Sequence, residues 1–249
     1  MKLTAPELLR KELAERRWKP QVLSLSGVTD PYQPIERRLE LTRRCLRLLA
    51  EFRNPVAIVT KNELVSRDLD ILTELAGHRA AAVYVSITTL DDELCGAMEP
   101  RTSRPARRLR ALQRIAAASV PCGVMVAPVI PGLTDHEIPA ILHAAASAGA
   151  TRAGYTTLRL PGAVADIFEA WLQSRSPPRR RKVLGRIRSL RGGRRNDPRF
   201  GHRMQGEGAF AEQIGAVFST ACRRLGLNRA REPVSATAFR RSAQERLPL

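Results

Sequence analysis

The sequence predicts an α/β fold whose parallel sheet closes only part of a barrel. Short apolar segments that end in polar, Gly or Pro residues alternate with helical segments up to about residue 160. Strands separated by helices of this length are joined by right-handed crossovers and therefore lie parallel. Five such strands are too few for a closed eight-stranded barrel, so we expect an open one.

The periodicity of apolar residues assigns each element in order. Apolar positions at helical spacing predict helices over residues 6–16, 35–52, 68–75, 105–119 and 136–148. Short apolar runs between them predict strands over residues 22–25, 56–59, 82–87, 121–126 and 152–158. Helix starts are indicated by Pro34, by Ser66 as an N-cap, and by Thr134 with Asp135.

After residue 160 the pattern changes to helices only, predicted over residues 163–173, 177–190 and 206–225. The polar, Gly-rich stretch between the last two helices, residues 192–201, is predicted to be a loop. The tail after Arg229 is expected to be poorly ordered. We therefore divide the chain into a partial barrel, residues 1–160, and a helical carboxyl-terminal extension with a basic segment and a flexible tail, residues 161–249.

Length and composition fit a soluble globular protein. The chain has 249 residues, of which 43% are hydrophobic, enough to bury a substantial core. No run reaches the roughly 18 apolar residues of a membrane span, and the polar start does not resemble a signal peptide. We expect a cytoplasmic protein without a membrane partner, and the sequence leaves its oligomeric state open.

The charge of the chain is strongly positive and comes almost entirely from arginine. The formal net charge is +18. Such a surface attracts phosphate polymers through counterion release. Arginine used in place of lysine, together with alanine runs, is equally typical of a biased genome-wide base composition. Both interpretations stay open.

The cysteines and histidines do not form a metal-binding pattern in the sequence. Cys45, Cys95, Cys122 and Cys222 have spacings that fit neither a disulfide framework nor a zinc ribbon, so we expect free, mostly buried thiols. The only histidines on one predicted helix, His136 and His143, are two turns apart, which predicts surface residues rather than metal ligands.

Polar side chains stand at the ends of three predicted strands. Thr29 and Asp30 follow the first, Lys61 follows the second, and Ser86 and Thr88 end the third. Because the carboxyl ends of parallel strands meet at one mouth, these side chains are predicted to line a single ligand-binding cleft.

Four segments at these strand ends carry a family resemblance that covers about residues 4–240. They are residues 29–36 (TDPYQPIE), residues 60–61 (TK), residues 86–89 (SITT) with Glu99-Pro100-Arg101 downstream, and residues 127–135 (APVIPGLTD). In this order they resemble the radical S-adenosylmethionine superfamily, in the branch close to spore photoproduct lyase. The resemblance implies an open partial barrel of the radical SAM type that binds S-adenosylmethionine.

The resemblance also implies roles for single residues. Thr29 and Asp30 would contact the amino end of S-adenosylmethionine, and Lys61 would approach its carboxylate. Ser86 and Thr88 would hydrogen-bond its ribose or carboxylate, while Ala127 and Val129 would form an apolar wall for its adenine. Spore photoproduct lyase carries a hydrogen-donating cysteine where this chain has Gly27, so repair of the spore photoproduct is not implied.

The superfamily holds a 4Fe-4S cluster with three cysteines spaced Cys-x-x-x-Cys-x-x-Cys, since thiolates hold such clusters. No cysteines here have that spacing. Recruitment of Cys45, Cys95 and Cys122 would require three separate elements to converge. We therefore expect the carboxyl-terminal portion of such an enzyme, without its amino-terminal strand, inactive alone and exposing an apolar sheet edge.

Two function classes follow from these observations. The first is a radical SAM lyase-like enzyme that acts on an unidentified substrate and, in full-length relatives, cleaves S-adenosylmethionine at the cluster. The second is a basic nucleic-acid-binding module with a vestigial cleft, in which the segment Arg175 to Arg195 contacts phosphates. In that case Arg179, Arg180 and Arg181 are the candidate contacts.

Overall fold

Five parallel strands form the sheet at the centre of the molecule. The computed structural model describes residues 3–26, 29–199, 202–229 and 234–241. In these ranges the strands are β1 (Leu23–Leu25), β2 (Val56–Thr60), β3 (Ala81–Ile87), β4 (Cys122–Val129) and β5 (Arg152–Thr157). They pair in the order β1-β2-β3-β4-β5, so each strand lies beside its neighbour in sequence. This arrangement confirms the predicted α/β class and the open parallel sheet.

Helices precede, connect and follow these strands. The helices of ten or more residues are α1 (Ala5–Ala14), α3 (Leu41–Phe52), α6 (Pro105–Ala117), α7 (Ile138–Ser147), α8 (Val164–Arg175), α9 (Pro177–Ser189) and α11 (Ala209–Leu225). Shorter helices are α2 (Glu36–Leu39), α4 (Leu69–Gly77), α5 (Asp92–Met98) and α10 (His202–Gln205). No helix in the described ranges has the length and apolar character needed to cross a membrane.

The hydrophobic core lies mainly on the face of the sheet that the helices cover, because buried residues alternate with half-buried ones along β2. By contrast, six of the seven residues of β3 are buried, as expected for a strand enclosed on both faces. Gly123 on β4 is required by close packing: a Cβ atom at this position would lie 2.6 Å from the Arg152 carbonyl oxygen and 2.8 Å from the Tyr84 ring. The core therefore positions the strand ends rigidly.

The predicted helix over residues 35–52 is wrong in one respect, because it is broken at Glu40. Glu40 has a left-handed backbone (φ 48°), which separates α2 from α3. The buried Glu36 carboxylate caps α3, accepting from the backbone N–H groups of Thr42 at 3.1 Å and Arg43 at 3.3 Å. Arg67 Nη2 donates to the same oxygen at 2.9 Å. A long-range ion pair thus stabilises the break.

Other helix starts also differ from the prediction. Ser66 is not an N-cap, because it lies inside a 3-10 helix, Glu63–Asp68, whose cap is Asn62. A second 3-10 helix, Asp135–Glu137, precedes α7. Helix α5 was not expected from the periodicity, and its start is marked by Asp91, whose side chain accepts from the Leu94 N–H at 2.9 Å.

The helices after residue 160 pack in two places. Helix α11 lies against α7 and contributes Ile214 and Phe218 to the same core as the sheet. Helices α8 and α9 form a smaller apolar cluster with Ile130 and Leu133, which follow β4. The division at residue 160 remains a prediction, although α11 shares the core of the sheet.

Part of the carboxyl-terminal tail has defined contacts. The Arg240 N–H donates to the Phe52 carbonyl at 2.9 Å, and the Phe239 and Phe52 rings stack with centroids 6.4 Å apart. Residues 234–241 therefore return to the end of α3. The remainder of the tail that was expected to be poorly ordered, residues 230–233 and 242–249, lies outside the described ranges.

Candidate functional site

Asp30 follows β1 and ties the end of this strand to the end of β2. Its Oδ1 accepts hydrogen bonds from the Tyr32 backbone N–H at 2.8 Å and from the Thr60 hydroxyl at 2.7 Å. Its Oδ2 accepts from the Lys61 backbone N–H at 2.7 Å. The bond to residue 32 forms an Asx turn, so Asp30 organises the loop as well as the strand ends.

Lys61 ends β2, and its side chain reaches across to the end of β3. The ammonium group donates to Thr88 Oγ1 at 3.3 Å and forms an ion pair with Glu99 Oε1. The Lys61 side chain is 26% exposed, whereas that of Glu99 is only 9% exposed. The ion pair therefore lies at the boundary between the core and the surface of the strand-end region.

Glu99 is held between two cations. Arg108 Nη2 donates to Glu99 Oε2 at 2.6 Å, and the Arg108 side chain is 1% exposed. Burial acts to raise the pKa of the Glu99 carboxyl group, but the Lys61 ammonium and the Arg108 guanidinium outweigh it and lower the pKa below its ordinary value. Glu99 is therefore ionised at neutral pH and holds both cations.

Ser86 and Thr88 connect this ion-pair cluster to β4. Both side chains are buried, and both hydroxyl oxygens lie 2.9 Å from the Ala127 carbonyl oxygen. Thr88 Oγ1 also lies 2.8 Å from Glu99 Oε1, and its single hydrogen can serve only one of these acceptors at a time. We call Asp30, Lys61, Ser86, Thr88 and Glu99 the strand-end cluster.

The other predicted site residues are placed differently. Thr29 is exposed and accepts from the Gln33 side chain, beside the cluster rather than within it. Ala127 is half-buried, but Val129 has no exposed surface, so Val129 presents no open apolar wall in this structure. Gly27 lies outside the described residues.

The strand-end cluster keeps some hydrogen-bonding capacity for a ligand. A lysine ammonium has three N–H donors, and two are used by Thr88 and Glu99. A carboxylate oxygen can accept two hydrogen bonds, and Asp30 Oδ2 accepts one within the described residues. One donor and one acceptor of opposite charge thus remain, which suits the ammonium and carboxylate of an amino acid moiety.

A second buried network supports the loop that carries Asp30. The Tyr32 hydroxyl donates to Asp68 Oδ2 at 3.1 Å, while Asp68 Oδ1 accepts from Arg43 at 2.7 Å and from Arg67 at 2.8 Å. Burial and the Asp68 carboxylate raise the pKa of the Tyr32 phenol well above its ordinary value, so the phenol remains a donor. The loop after β1 is therefore anchored on a charged network.

The part of the chain that the structure describes does not fit an iron-sulfur cluster. It holds no group of three or more His, Cys, Asp or Glu side chains that could bind a metal ion. Cys95, Cys122 and Cys222 are buried and Cys45 is half-buried, all as free thiols. Burial raises the pKa of the Cys122 thiol to about 11, which opposes thiolate formation.

Glu99 and Arg108 were missed as site residues by sequence reasoning. Glu99 belongs to a family-like segment but had no assigned role, because only the fold brings it to Lys61. Arg108 had a recognisable signal: it shares the apolar face of α6 with Ala111, Leu112 and Ile115, at helical spacing. A cation on the buried face of an amphipathic helix indicates a buried partner.

The family model of the Radical SAM superfamily matches residues 2–145. Since this match covers more than half of the chain, the chain belongs to the radical SAM superfamily. The match includes all five residues of the strand-end cluster. It confirms the family resemblance that the strand-end segments indicate.

Several relatives and solved structures are similar to this chain. An uncharacterized protein of Mycobacterium tuberculosis is 35% identical over 192 residues, which cover 76% of this chain and 55% of that protein. An uncharacterized protein of Acidianus two-tailed virus is 31% identical over 121 residues, which cover 49% of this chain and 39% of that protein. This chain thus spans about half the length of the first of these relatives.

Two solved structures of spore photoproduct lyase share the fold. The enzyme complexed with dinucleoside spore photoproduct superposes with a TM-score of 0.60 at 16% identity, over 91% of this chain and 65% of that chain. A mutant with bound AdoMet and dinucleoside spore photoproduct gives a TM-score of 0.60 at 16% identity, over 89% of this chain and 64% of that chain. At this identity the likeness shows the fold, a partial radical SAM barrel.

Proposed function

We propose that this chain forms the S-adenosylmethionine-binding part of a radical SAM enzyme related to spore photoproduct lyase, acting on an unidentified substrate. The observation that carries the proposal is that Lys61 keeps an unused donor and Asp30 an unused acceptor at the ends of two adjacent strands. The mutant of spore photoproduct lyase with bound AdoMet supports this choice of ligand.

In this proposal Lys61 binds the carboxylate of the methionine moiety and Asp30 binds its ammonium. The exposed Thr29 contacts the same ammonium, while Ser86 and Thr88 hydrogen-bond the ribose or the carboxylate, and Thr88 also accepts from Lys61. Ala127 and, after a local rearrangement, Val129 contact the adenine. The cofactor's sulfonium supplies the bond that superfamily members cleave to form a radical. Because the described residues do not fit the iron-sulfur cluster, we assign them a binding role only.

Calorimetric titration with S-adenosylmethionine tests the proposal. We expect weak binding, with Kd about 1 mM, because only two charged contacts hold the ligand. Lys61→Ala should weaken it at least tenfold, since a charge-assisted hydrogen bond contributes about 1.5–3 kcal/mol. Asp30→Asn should also weaken it, and Lys61→Arg should retain part of the affinity.

Lys11→Ala is the matched control, because Lys11 is an exposed lysine on α1, away from the strand ends. Circular dichroism of each variant checks that the fold is intact. Equal affinities for wild type, Lys61→Ala and Asp30→Asn, all correctly folded, would contradict the assignment of the site.

A second candidate function is nucleic-acid binding by the basic segment on α9. The net charge of +18 favours it, as do the exposed Arg179 and Arg181, which have no carboxylate within 4 Å in the described ranges. Arg180 differs, because it forms an ion pair with Glu169 on α8. These three arginines therefore do not act as one surface.

The salt dependence of DNA binding tests this second function. Neutralising Arg179, Arg180 and Arg181 together should flatten the slope of log affinity against log salt by about 2, since each phosphate contact contributes about 0.9. Arg180→Gln alone should leave the slope unchanged, because Arg180 is already paired. An unchanged slope in the triple variant would leave this function supported by net charge alone.

A further inference from the structure

A cleft of about 600 Å³ lies outside the strand-end cluster, between the loop after β4, helix α9 and helix α11. This volume lies within the range of small-molecule binding pockets. Gly132 of the loop has a left-handed backbone (φ 82°), and a Cβ atom there would lie 3.3 Å from Arg186 Cδ. The loop and α9 therefore approach each other closely at one end of the cleft.

One wall of the cleft is cationic. Arg179, Lys182 and Arg186 line it from α9, three and four residues apart, which places them on one face of the helix. Arg186 Nη1 forms an ion pair with Asp135 at 3.0 Å. Arg179 and Lys182 have no carboxylate within 4 Å among the residues described. This wall thus keeps two uncompensated positive charges.

The opposite wall is apolar. Phe210, Ile214 and Val217 line it from α11, four and three residues apart, again on one helix face. Val217 is 37% exposed, so this wall is open to a ligand. The Arg186 guanidinium lies 5.1 Å from the centroid of the Phe210 ring, where it connects the two walls.

We propose that this cleft binds an organic phosphate ester, with its phosphate group on the cationic wall and its organic group on the apolar wall. A phosphate ester fits better than a carboxylate because it carries up to two negative charges at neutral pH and can compensate both Arg179 and Lys182, whereas a carboxylate carries one. The apolar wall requires an organic group, since inorganic phosphate would leave Val217 and Phe210 without a contact.

Calorimetry with three probes tests the proposal: inorganic phosphate, hexyl phosphate and deoxyadenosine monophosphate. At least one ester should bind about tenfold more tightly than inorganic phosphate. Tighter binding of the nucleotide identifies a planar organic group, and tighter binding of hexyl phosphate identifies an aliphatic one. Either result supports the proposal, whereas equal affinities for all three probes overturn it.

Variants locate the binding. Arg179→Ala and Lys182→Ala should each weaken ester binding about tenfold, and Val217→Gln should weaken the ester but not inorganic phosphate. Arg181→Ala is the matched control, because Arg181 is exposed on the same helix but does not line the cleft. If Arg179→Ala and Lys182→Ala bind as Arg181→Ala does, the proposal is wrong. None of these positions belongs to the strand-end cluster. The test of phosphate-ester binding in the cleft therefore does not depend on whether the chain binds S-adenosylmethionine.

Discussion

Glu99 is the residue on which the electrostatics of the strand-end cluster depend. Its carboxylate is the acceptor that Lys61 and Arg108 share, and Arg108 is almost completely buried. Removal of one member of a buried ion pair is costly, because the remaining charge keeps its desolvation penalty without compensation. Glu99 therefore fixes the position of Lys61 at the end of β2.

The lowered pKa of Glu99 predicts a pH-dependent stability. A carboxyl group with a pKa lower in the folded than in the unfolded state stabilises the fold above its unfolded pKa, and this contribution is lost as pH falls through the folded pKa. The loss should begin below the ordinary value of 4.5. Glu99→Gln should cost about 2–4 kcal/mol at pH 7 and clearly less at pH 3.5.

Urea unfolding of wild type and Glu99→Gln at the two pH values measures this difference. Glu93→Gln is the control, because Glu93 is an exposed carboxylate on α5 without an ion pair in the described ranges. A difference between Glu99→Gln and wild type that stays the same at both pH values would show that Glu99 is not held ionised by its partners.

At the level of elements, the junction between α2 and α3 depends on a contact that is distant in sequence. Glu36 caps α3 and is paired with Arg67, which also contacts Asp68. An N-terminal cap contributes about 0.5–2 kcal/mol, and the ion pair adds to it because Glu36 is buried. The Thr42 hydroxyl donates to the Pro31 carbonyl at 2.5 Å, so this junction is tied to the loop that carries Asp30.

Substitution of Glu36 separates these two contributions. Glu36→Gln keeps an acceptor for the Thr42 N–H but loses the charge, whereas Glu36→Ala loses both. We expect a loss of about 1 kcal/mol for Gln and about 2–3 kcal/mol for Ala, measured by chemical denaturation. Equal losses for the two variants would show that the capping contact contributes nothing.

The strands and most helices could be predicted from sequence because their signals are local. Short, mostly apolar runs predict strands over residues 56–59 and 82–87, and the bounds of β2 and β3 agree with them within one residue. The break at Glu40 was not predictable, because it requires Arg67 to reach Glu36 from another element. Asp30 and Lys61 could be placed near each other from strand order alone. Their link through Glu99 and Arg108 depends on the folded positions of α5 and α6.

At the level of the whole molecule, the two edges of the sheet differ in the hydrogen bonding of their backbone groups. The Asn228 side chain covers the edge of β5, accepting from the Ala153 N–H at 3.0 Å and donating to the Ala153 carbonyl at 3.1 Å. No described residue covers the edge of β1 in this way, and β1 pairs only with β2. Because Leu23 N donates toward β2, the backbone groups of Ser24 point to the open side.

An uncovered strand edge is a template for pairing between molecules. We expect purified residues 1–249 to self-associate through β1, and Ser24→Lys to reduce this, since Ser24 is exposed and a lysine at an edge opposes pairing. Analytical ultracentrifugation over a concentration series measures the effect, with Ser147→Lys on α7 as a control of equal added charge. Wild-type protein that stays monomeric over the concentration series would contradict self-association. A Ser147→Lys variant that reduces association as much as Ser24→Lys would show that the added net charge, and not the β1 edge, accounts for the effect.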